Sequence, residues 1–299
     1  MELRHLRYFV AVAEGHSFRV AAERIHVTQP AITRQIQDLE AEVGVALFQR
    51  TTSGVTLTPA GELFLREVRV VLATLAAATR AARRVSEGLE GSLRIGFVEN
   101  SSWEGLVPEL FAHYQERAPG VHLELLPLNS PEQVESLIAD RIDGGFIYTF
   151  EELPAEISTI PLMHKSVRLA VPKQWGWPGD QAVRANELNG KPIIAFPRYT
   201  YPAYHDYLIH ACLKAGLTLN VVQEVTTETA ILSLVSAGIG AAIVNAGNIG
   251  RQPARVQFLE LADLPLAIPL AFAYPTQNQN PALARFIAML TAVHAQMTG

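Results

Sequence analysis

The sequence has one cysteine, Cys212, among 299 residues, which excludes an intramolecular disulfide and any zinc or iron–sulfur site built from several cysteines of one chain. It also lacks any unbroken apolar run near the ~18 residues that a membrane span needs. The first residues, Met1-Glu2-Leu3-Arg4-His5-Leu6-Arg7, carry charge where a secretory signal would be apolar, so a cytoplasmic location is expected. Nine histidines are scattered without metal-ligand spacing, and neither a Gly-x-Ser-x-Gly elbow nor a His-Glu-x-x-His pair occurs. No metal, cofactor or catalytic group is therefore expected. Net positive charge is missing too: the formal charge is -5, so bulk composition alone does not mark a nucleic-acid binder.

What is present is an ordinary globular composition, 49% hydrophobic and 18% charged, in a length that suggests about two domains at ~150 residues each. Charge is unevenly spread. Residues 1–90 hold eleven basic residues, all arginine, against ten acids, whereas residues 91–299 hold thirteen against nineteen.

Residues 1–58 read as short helices joined by tight turns. Leu3, Leu6, Phe9, Val10, Val12 and Ala13 recur at helical spacing up to Gly15. Ser17 is expected to cap a second helix to His26, and Thr28 a third that begins Gln29-Pro30 and buries Ile32, Ile36 and Leu39 before Gly44. Only Val27 and the cap separate these two, the spacing of a helix-turn-helix. Leu47-Phe48 and Val55-Thr56-Leu57 flank Arg50-Thr51-Thr52-Ser53-Gly54, a hairpin shaped like a wing. From Pro59 to about Ser86, Phe64, Val68, Val71, Leu75, Ala78, Ala82 and Val85 form a heptad seam on a helix ~40 Å long, which calls for a partner chain. Gly88 and Gly91 mark a hinge. Beyond it, strand-like and helix-like segments alternate to the final helix at 281–297, predicting an α/β domain with a largely parallel sheet.

The run Phe9-Val10-Ala11-Val12-Ala13-Glu14, Ser17-Phe18, Ala21-Ala22, Ile25 through Ile36, Leu39-Glu40, Gly44-Val45, Leu47-Phe48, Arg50 and Leu57-Thr58-Pro59-Ala60-Gly61 resembles the LysR-type transcriptional regulators. The resemblance implies an α/β fold of three parts: a winged helix-turn-helix over 1–58, a dimerisation helix over 59–88, and an effector-binding domain over 89–299. That last domain would be two-lobed, like periplasmic binding proteins, with lobe I at about 91–161 and 267–299 and lobe II at about 162–266. A helix whose first turns enter the ~12 Å wide major groove offers side chains to base edges. Thr28, Gln29, Thr33, Arg34 and Gln37 fall on that face: Gln addresses adenine, Arg addresses guanine, and Pro30 and Thr33 offer apolar contact to thymine methyls. Arg50 and the wing tip would touch phosphate or the minor groove. The plainer alternative leaves Thr28 as a cap and Arg34 as a solvated charge.

In the second half, Ser130-Pro131-Glu132-Gln133 and Ser101-Ser102-Trp103-Glu104 read as capping boxes after strands, and Thr226-Thr227 and Pro202 begin further helices. Such helix starts, at the carboxyl ends of strands, favour a small anionic ligand. Ser130 to Phe146 and Phe196-Pro197-Arg198 with Pro202-Ala203-Tyr204 resemble the family branch that controls catabolism of benzoate, catechols and chlorinated relatives. That likeness would bring Asn100 or Ser101, with Ser102, Ser130, Pro202 and Tyr204, to an aromatic or unsaturated carboxylate effector. Two departures stand out: Glu99 adds an acid in a loop one residue longer than usual, and Tyr148 stands where relatives carry a polar or basic residue. The implied partners are promoter DNA, a small-molecule effector, further copies of the chain as a dimer of dimers, and RNA polymerase, with activation the expected mode. A transport solute-binding protein is the alternative, and an enzyme comes third for want of a nucleophile–base pair. Gly238-Ile239-Gly240 is a turn before a strand, Cys212 sits on an apolar helix face, and Trp175 and Trp177 cover a loop.

Overall fold

The computed structural model describes residues 1–51, 54–99, 105–179 and 181–298. The chain forms two compact units, Met1–Arg83 and Arg84–Gly299.

In the first unit, α1 (Leu3–Gly15), α2 (Phe18–Arg24) and α3 (Gln29–Val43) turn their periodic apolar faces onto one cluster that includes Phe9, Val12, Ala21, Ile32, Ile36, Leu39 and Leu47. His16, with φ of 50°, ends α1, and the Ser17 hydroxyl then caps α2 by accepting the Val20 amide. β1 (Phe48–Thr51) and β2 (Gly54–Leu57) form an antiparallel hairpin, whose expected tip residues Thr52 and Ser53 lie outside the described residues. Phe9, Phe18, Phe48 and Phe64 meet in tilted and edge-to-face contacts at 5.1–5.9 Å and lock the hairpin to the helices. Gly54 has φ of +135°, and a Cβ there would sit 2.8 Å from the His16 carbonyl oxygen, so only glycine fits the start of β2.

α4 (Pro59–Ser86) runs for 28 residues. The start of its seam is consumed at home, since Phe64 and Val68 pack into the first unit's core. Further along, Leu75 is half-buried, while Val71 and Val85 remain 49% and 47% exposed and Ala78 and Ala82 are exposed.

The second unit opens with β3 (Glu90–Phe97), α5 (Leu106–Arg117), β4 (Gly120–Pro127), α6 (Ser130–Ile138) and β5 (Gly144–Tyr148). β3 pairs in parallel with both β4 and β5, as the intervening helices require. β6 (Ile157–Pro172) follows, then β7 (Pro192–Ala195), α7 (Pro202–Lys214), β8 (Asn220–Glu224), α8 (Glu228–Ser236), β9 (Ala242–Asn245), β10 (Val256–Leu259), β11 (Ala267–Pro275) and α9 (Pro281–Thr298).

The sheet is mixed, which corrects the expectation of a largely parallel one. Its path is β10-β6-β11-β5-β3-β4 with β9 also on β6, and every pairing of β6, β9, β10 and β11 is antiparallel. β5 and β6 do not pair with each other: β11, which comes last in the chain, lies between them and runs antiparallel to both. β6 belongs to two lobes: Ile157–Ser166 pairs with β11, and Val167–Pro172 with β9 and β10. The first lobe's core gathers Phe146, Phe272, Phe286 and Tyr114, whose hydroxyl donates to the Ala282 carbonyl at 3.0 Å. The second lobe's two clusters lie on either side of β6, around Leu169, Val171 and Ile243 and around Ala170, Val244 and Ile231. There Cys212 is buried, its thiol pushed up to about 11 by desolvation, which leaves it unreactive.

Candidate nucleic-acid interface and effector cleft

α3 turns Ile32, Ile36 and Leu39 inward, and the same period leaves Thr28, Gln29, Pro30, Arg34 and Gln37 exposed along its first two turns. Thr28 occupies the N-cap position, but its hydroxyl makes no cap bond, which corrects the expectation that it caps the helix through its side chain. Its backbone carbonyl instead accepts the Ala31 and Ile32 amides. Thr33 is half-buried and donates its hydroxyl to the Gln29 carbonyl at 2.8 Å, so what it has left to offer is its methyl group. Arg50 is exposed on β1.

Near-neutral net charge in this unit hides a sorted arrangement. Glu14 holds Arg24 and Arg69, Glu23 holds Arg19, Glu2 holds Arg4, and Glu42 holds the N-terminal ammonium. Among the described residues of this unit, Arg7, Arg34, Arg50, Arg66 and Arg80 take no carboxylate, and of these Arg34 on α3 and Arg50 on β1 keep their charge available to a polyanion beside the exposed start of α3 or on the hairpin. Glu40, which sequence reasoning placed only within a pattern, accepts the Leu47 and Phe48 amides at 2.7 and 3.0 Å and so ties the hairpin to α3. Nothing in the spacing of Glu40 singles it out, because both amides lie beyond the end of its helix.

The second unit contains a cleft of about 650 Å³ between its lobes. From the first lobe come Val98 and Glu99 after β3, Asn129, Pro131, Glu132 and Glu135 at the start of α6, and Tyr148 and Phe150 at the end of β5. From the second come Phe196, Tyr199, Thr200, Tyr201 and Tyr204 around the start of α7, and Thr226, Thr227 and Glu228 at the start of α8. Hydrogen bonds that cross the cleft from lobe to lobe include the Asn245 side-chain N–H donating to the Tyr148 hydroxyl at 2.9 Å and the Thr229 hydroxyl donating to Glu99.

Several expected residues sit differently from their sequence assignment. The cap of α6 is Asn129, not Ser130: Asn129 accepts the Glu132 amide at 2.8 Å while the Glu132 carboxylate accepts the Asn129 amide at 2.9 Å. Ser130 is the first residue of the helix, buried, and its hydroxyl accepts the Tyr148 amide at 3.0 Å. Ser130 and Pro202 line an adjoining hollow of about 310 Å³ that shares Pro131, Glu135, Tyr148, Phe150, Tyr201 and Tyr204 with the cleft. Tyr204 therefore faces both spaces. Asn100, Ser101 and Ser102, with the capping box expected there, lie outside the described residues.

Charge in the cleft is of one sign. Glu99, Glu132, Glu135 and Glu228 are in the lining, and among the described residues no Lys, Arg or His joins them. Arg198, next in sequence to Tyr199, is held by Asp206 through two bonds of 2.9 and 2.7 Å. The carboxylate effector expected from the resemblance thus finds no countercharge. Burial raises the Glu228 carboxyl to about 7; bonds from the Asn248 side chain and the Asn245 amide oppose this, and the nearby Glu99 adds to it. Burial likewise pushes the phenols of Tyr148, Tyr201 and Tyr204 well above their ordinary range, so they stay protonated donors.

Comparison with known proteins agrees with both halves of this arrangement. Residues 3–62 match the bacterial regulatory helix-turn-helix protein, lysR family, and residues 86–295 match the LysR substrate binding domain. The regulator AlsR of Bacillus subtilis is 35% identical, with 96% of this chain and 94% of that protein covered. The regulator TcbR of a Pseudomonas species is 31% identical over 96% and 97%. The crystal structure of CbnR, a LysR family transcriptional regulator, superposes with a TM-score of 0.84 at 31% identity, covering 97% of this chain and all of that one. Full-length CbnR complexed with its target DNA gives 0.82 at 29% identity, covering 98% and 100%. This chain belongs to the LysR family of bacterial helix-turn-helix transcriptional regulators.

Proposed function

We propose that this regulator reads promoter DNA with the first two turns of α3, Arg50 adding a backbone contact, and that a small molecule entering the interlobe cleft changes the protein's activity on that promoter. The observation that carries the reading is the exposed start of α3, where Gln29, Arg34 and Gln37 project and Arg34 keeps its charge unpaired. The solved CbnR–DNA complex supports it by homology.

The exposed remainder of the α4 seam supports pairing with a second copy, and a dimer of dimers follows by family resemblance. Each additional copy also adds its own unpaired arginines to those presented to phosphate. Activation through contact with RNA polymerase is the expected mode of action. Acting on chromosomal promoters places the protein in the cytoplasm, and among the described residues no helix is long and apolar enough to cross a membrane.

A gel mobility-shift titration of the full chain on its own promoter tests the reading. Arg34→Ala should weaken binding by about 1–3 kcal/mol and relax the preference at one position of each half-site. Equal loss on every sequence would reassign Arg34 to phosphate, and unchanged binding would remove it from the interface.

A further inference from the structure

We propose that the cleft takes an organic cation, a protonated amine or quaternary ammonium group on a small apolar skeleton. The proposal rests on the cleft being the effector site and concerns the charge of what enters it. Four carboxylates from three separate segments, Glu99, the pair Glu132 and Glu135, and Glu228, face one space with no cationic side chain in its lining among the described residues. Residues 100–104, which continue from Glu99, read Asn-Ser-Ser-Trp-Glu, so their composition supplies no positive charge either.

Helix N-termini usually compensate an anion in such a cleft; here α7 begins without a side-chain cap, but the starts of α6 and α8 are already occupied. The first turn of α6 is closed by the reciprocal Asn129–Glu132 bonds, and the Thr227 hydroxyl takes the Ala230 amide at the start of α8. An anionic ligand would meet like charge, and each carboxylate within ~5 Å would weaken it by about ten-fold or more.

The rest of the lining suits a cation. Tyr148, Phe150, Phe196, Tyr199, Tyr201 and Tyr204 supply aromatic surface from both lobes, and ring faces attract ammonium groups. Thr200, only 6% exposed, is among the lining residues, and its enclosed Oγ1 has no partner among the described residues. A metal ion is a poorer fit, because among the described residues no three ligating side chains converge. The space of about 650 Å³ is within the ~300–1,000 Å³ typical of small-molecule sites.

The test is thermal melting followed by calorimetry on the full chain at pH 8, with probes matched in skeleton and differing in charge. Phenethylamine is paired with 3-phenylpropanoate and 2-phenylethanol, choline with 3,3-dimethylbutanol, and the polyamine putrescine with adipate. Amines should raise the melting temperature where their partners do not. Glu135 is exposed and its side chain makes no hydrogen bond among the described residues, so its variants should fold. Glu135→Gln should weaken the best amine about ten-fold, and Glu135→Lys more, with the matched carboxylate gaining affinity.

The proposal is overturned if a carboxylate or neutral partner binds the wild type as well as its amine does. It is equally overturned if no amine in the series binds, or if amine affinity is the same in both variants. Operator binding by the unliganded protein separates the two levels. If it is intact while a carboxylate binds, only the charge class fails; if it is lost in the wild type, the regulatory reading itself fails.

Discussion

α3 and α6 begin alike, each with a proline in its first turn after an extended polar residue, yet one start is open and the other is shut. At α3 the Thr28 hydroxyl caps nothing, and Gln29, Pro30, Ala31 and Arg34 after it are exposed. At α6 Asn129 and Glu132 satisfy each other's amides, and the Ser130 hydroxyl is committed to Tyr148 in the neighbouring strand. A helix start attracts anions only while its amides are free and no carboxylate stands over them. The open start is therefore fit for phosphate and base edges, and the shut one, with its own glutamate in place, repels what the other invites. Two helices with similar opening residues are thus suited to ligands of opposite charge.

The largest effect expected concerns what anchors the open helix. Glu40→Ala deletes the acceptor for the Leu47 and Phe48 amides and should cost the hairpin about 2–3 kcal/mol. Hydrogen exchange at those two amides should accelerate correspondingly, while exchange along α6 stays as it was. Unchanged protection would mean the hairpin is held by its phenylalanines alone.

Next comes the acidity of the shut side. Glu228 titrates near 7 in the folded protein against an ordinary 4.5, so between those values the native state holds a proton that the unfolded chain has lost. Stability of the second unit should accordingly fall as pH rises from about 5 to 7.5, by about 2 kcal/mol. Melting followed by the fluorescence of Trp175 and Trp177 should show the decline in the wild type and flatten it in Glu228→Gln. A wild-type profile already flat would place Glu228 in water.

The smallest difference is the most direct test of the comparison. Asn129→Ala removes a cap bond and should cost about 1 kcal/mol, whereas Thr28→Ala removes none and should cost only a few tenths. Chemical denaturation of the two variants measures both. Equal costs would erase the distinction between the two helix starts.

The sequence makes the first unit legible because its helices are marked locally, by Ser17, Pro30, Gly44 and an unbroken apolar period. α7 and α9 were equally plain, each opened by a proline. The one-residue error at α6 arose because Asn129-x-x-Glu132 and Ser130-x-x-Gln133 both fit a capping box, and only the burial of Gln133 and the strand beside Ser130 decide between them. The first half of β6 escaped notice because Pro161 interrupts it, and the structure accommodates that proline beside a register shift opposite Leu270 and Ala271. β10 is four residues long and acquires its identity only by pairing with β6. The sign of the cleft is half visible in the sequence, where Glu99 and Tyr148 stand out only one at a time. That they join Glu132, Glu135 and Glu228 around one space is a property of chain topology and not of any segment.

The chain passes between the lobes at Ser166–Val167 in β6 and at the start of β11, and Ser166 is paired with Ala267. The two crossing strands are thus hydrogen-bonded neighbours of one antiparallel ladder. Any movement of one lobe against the other would have to bend both backbones at this one place, whatever the chemistry of the molecule in the cleft.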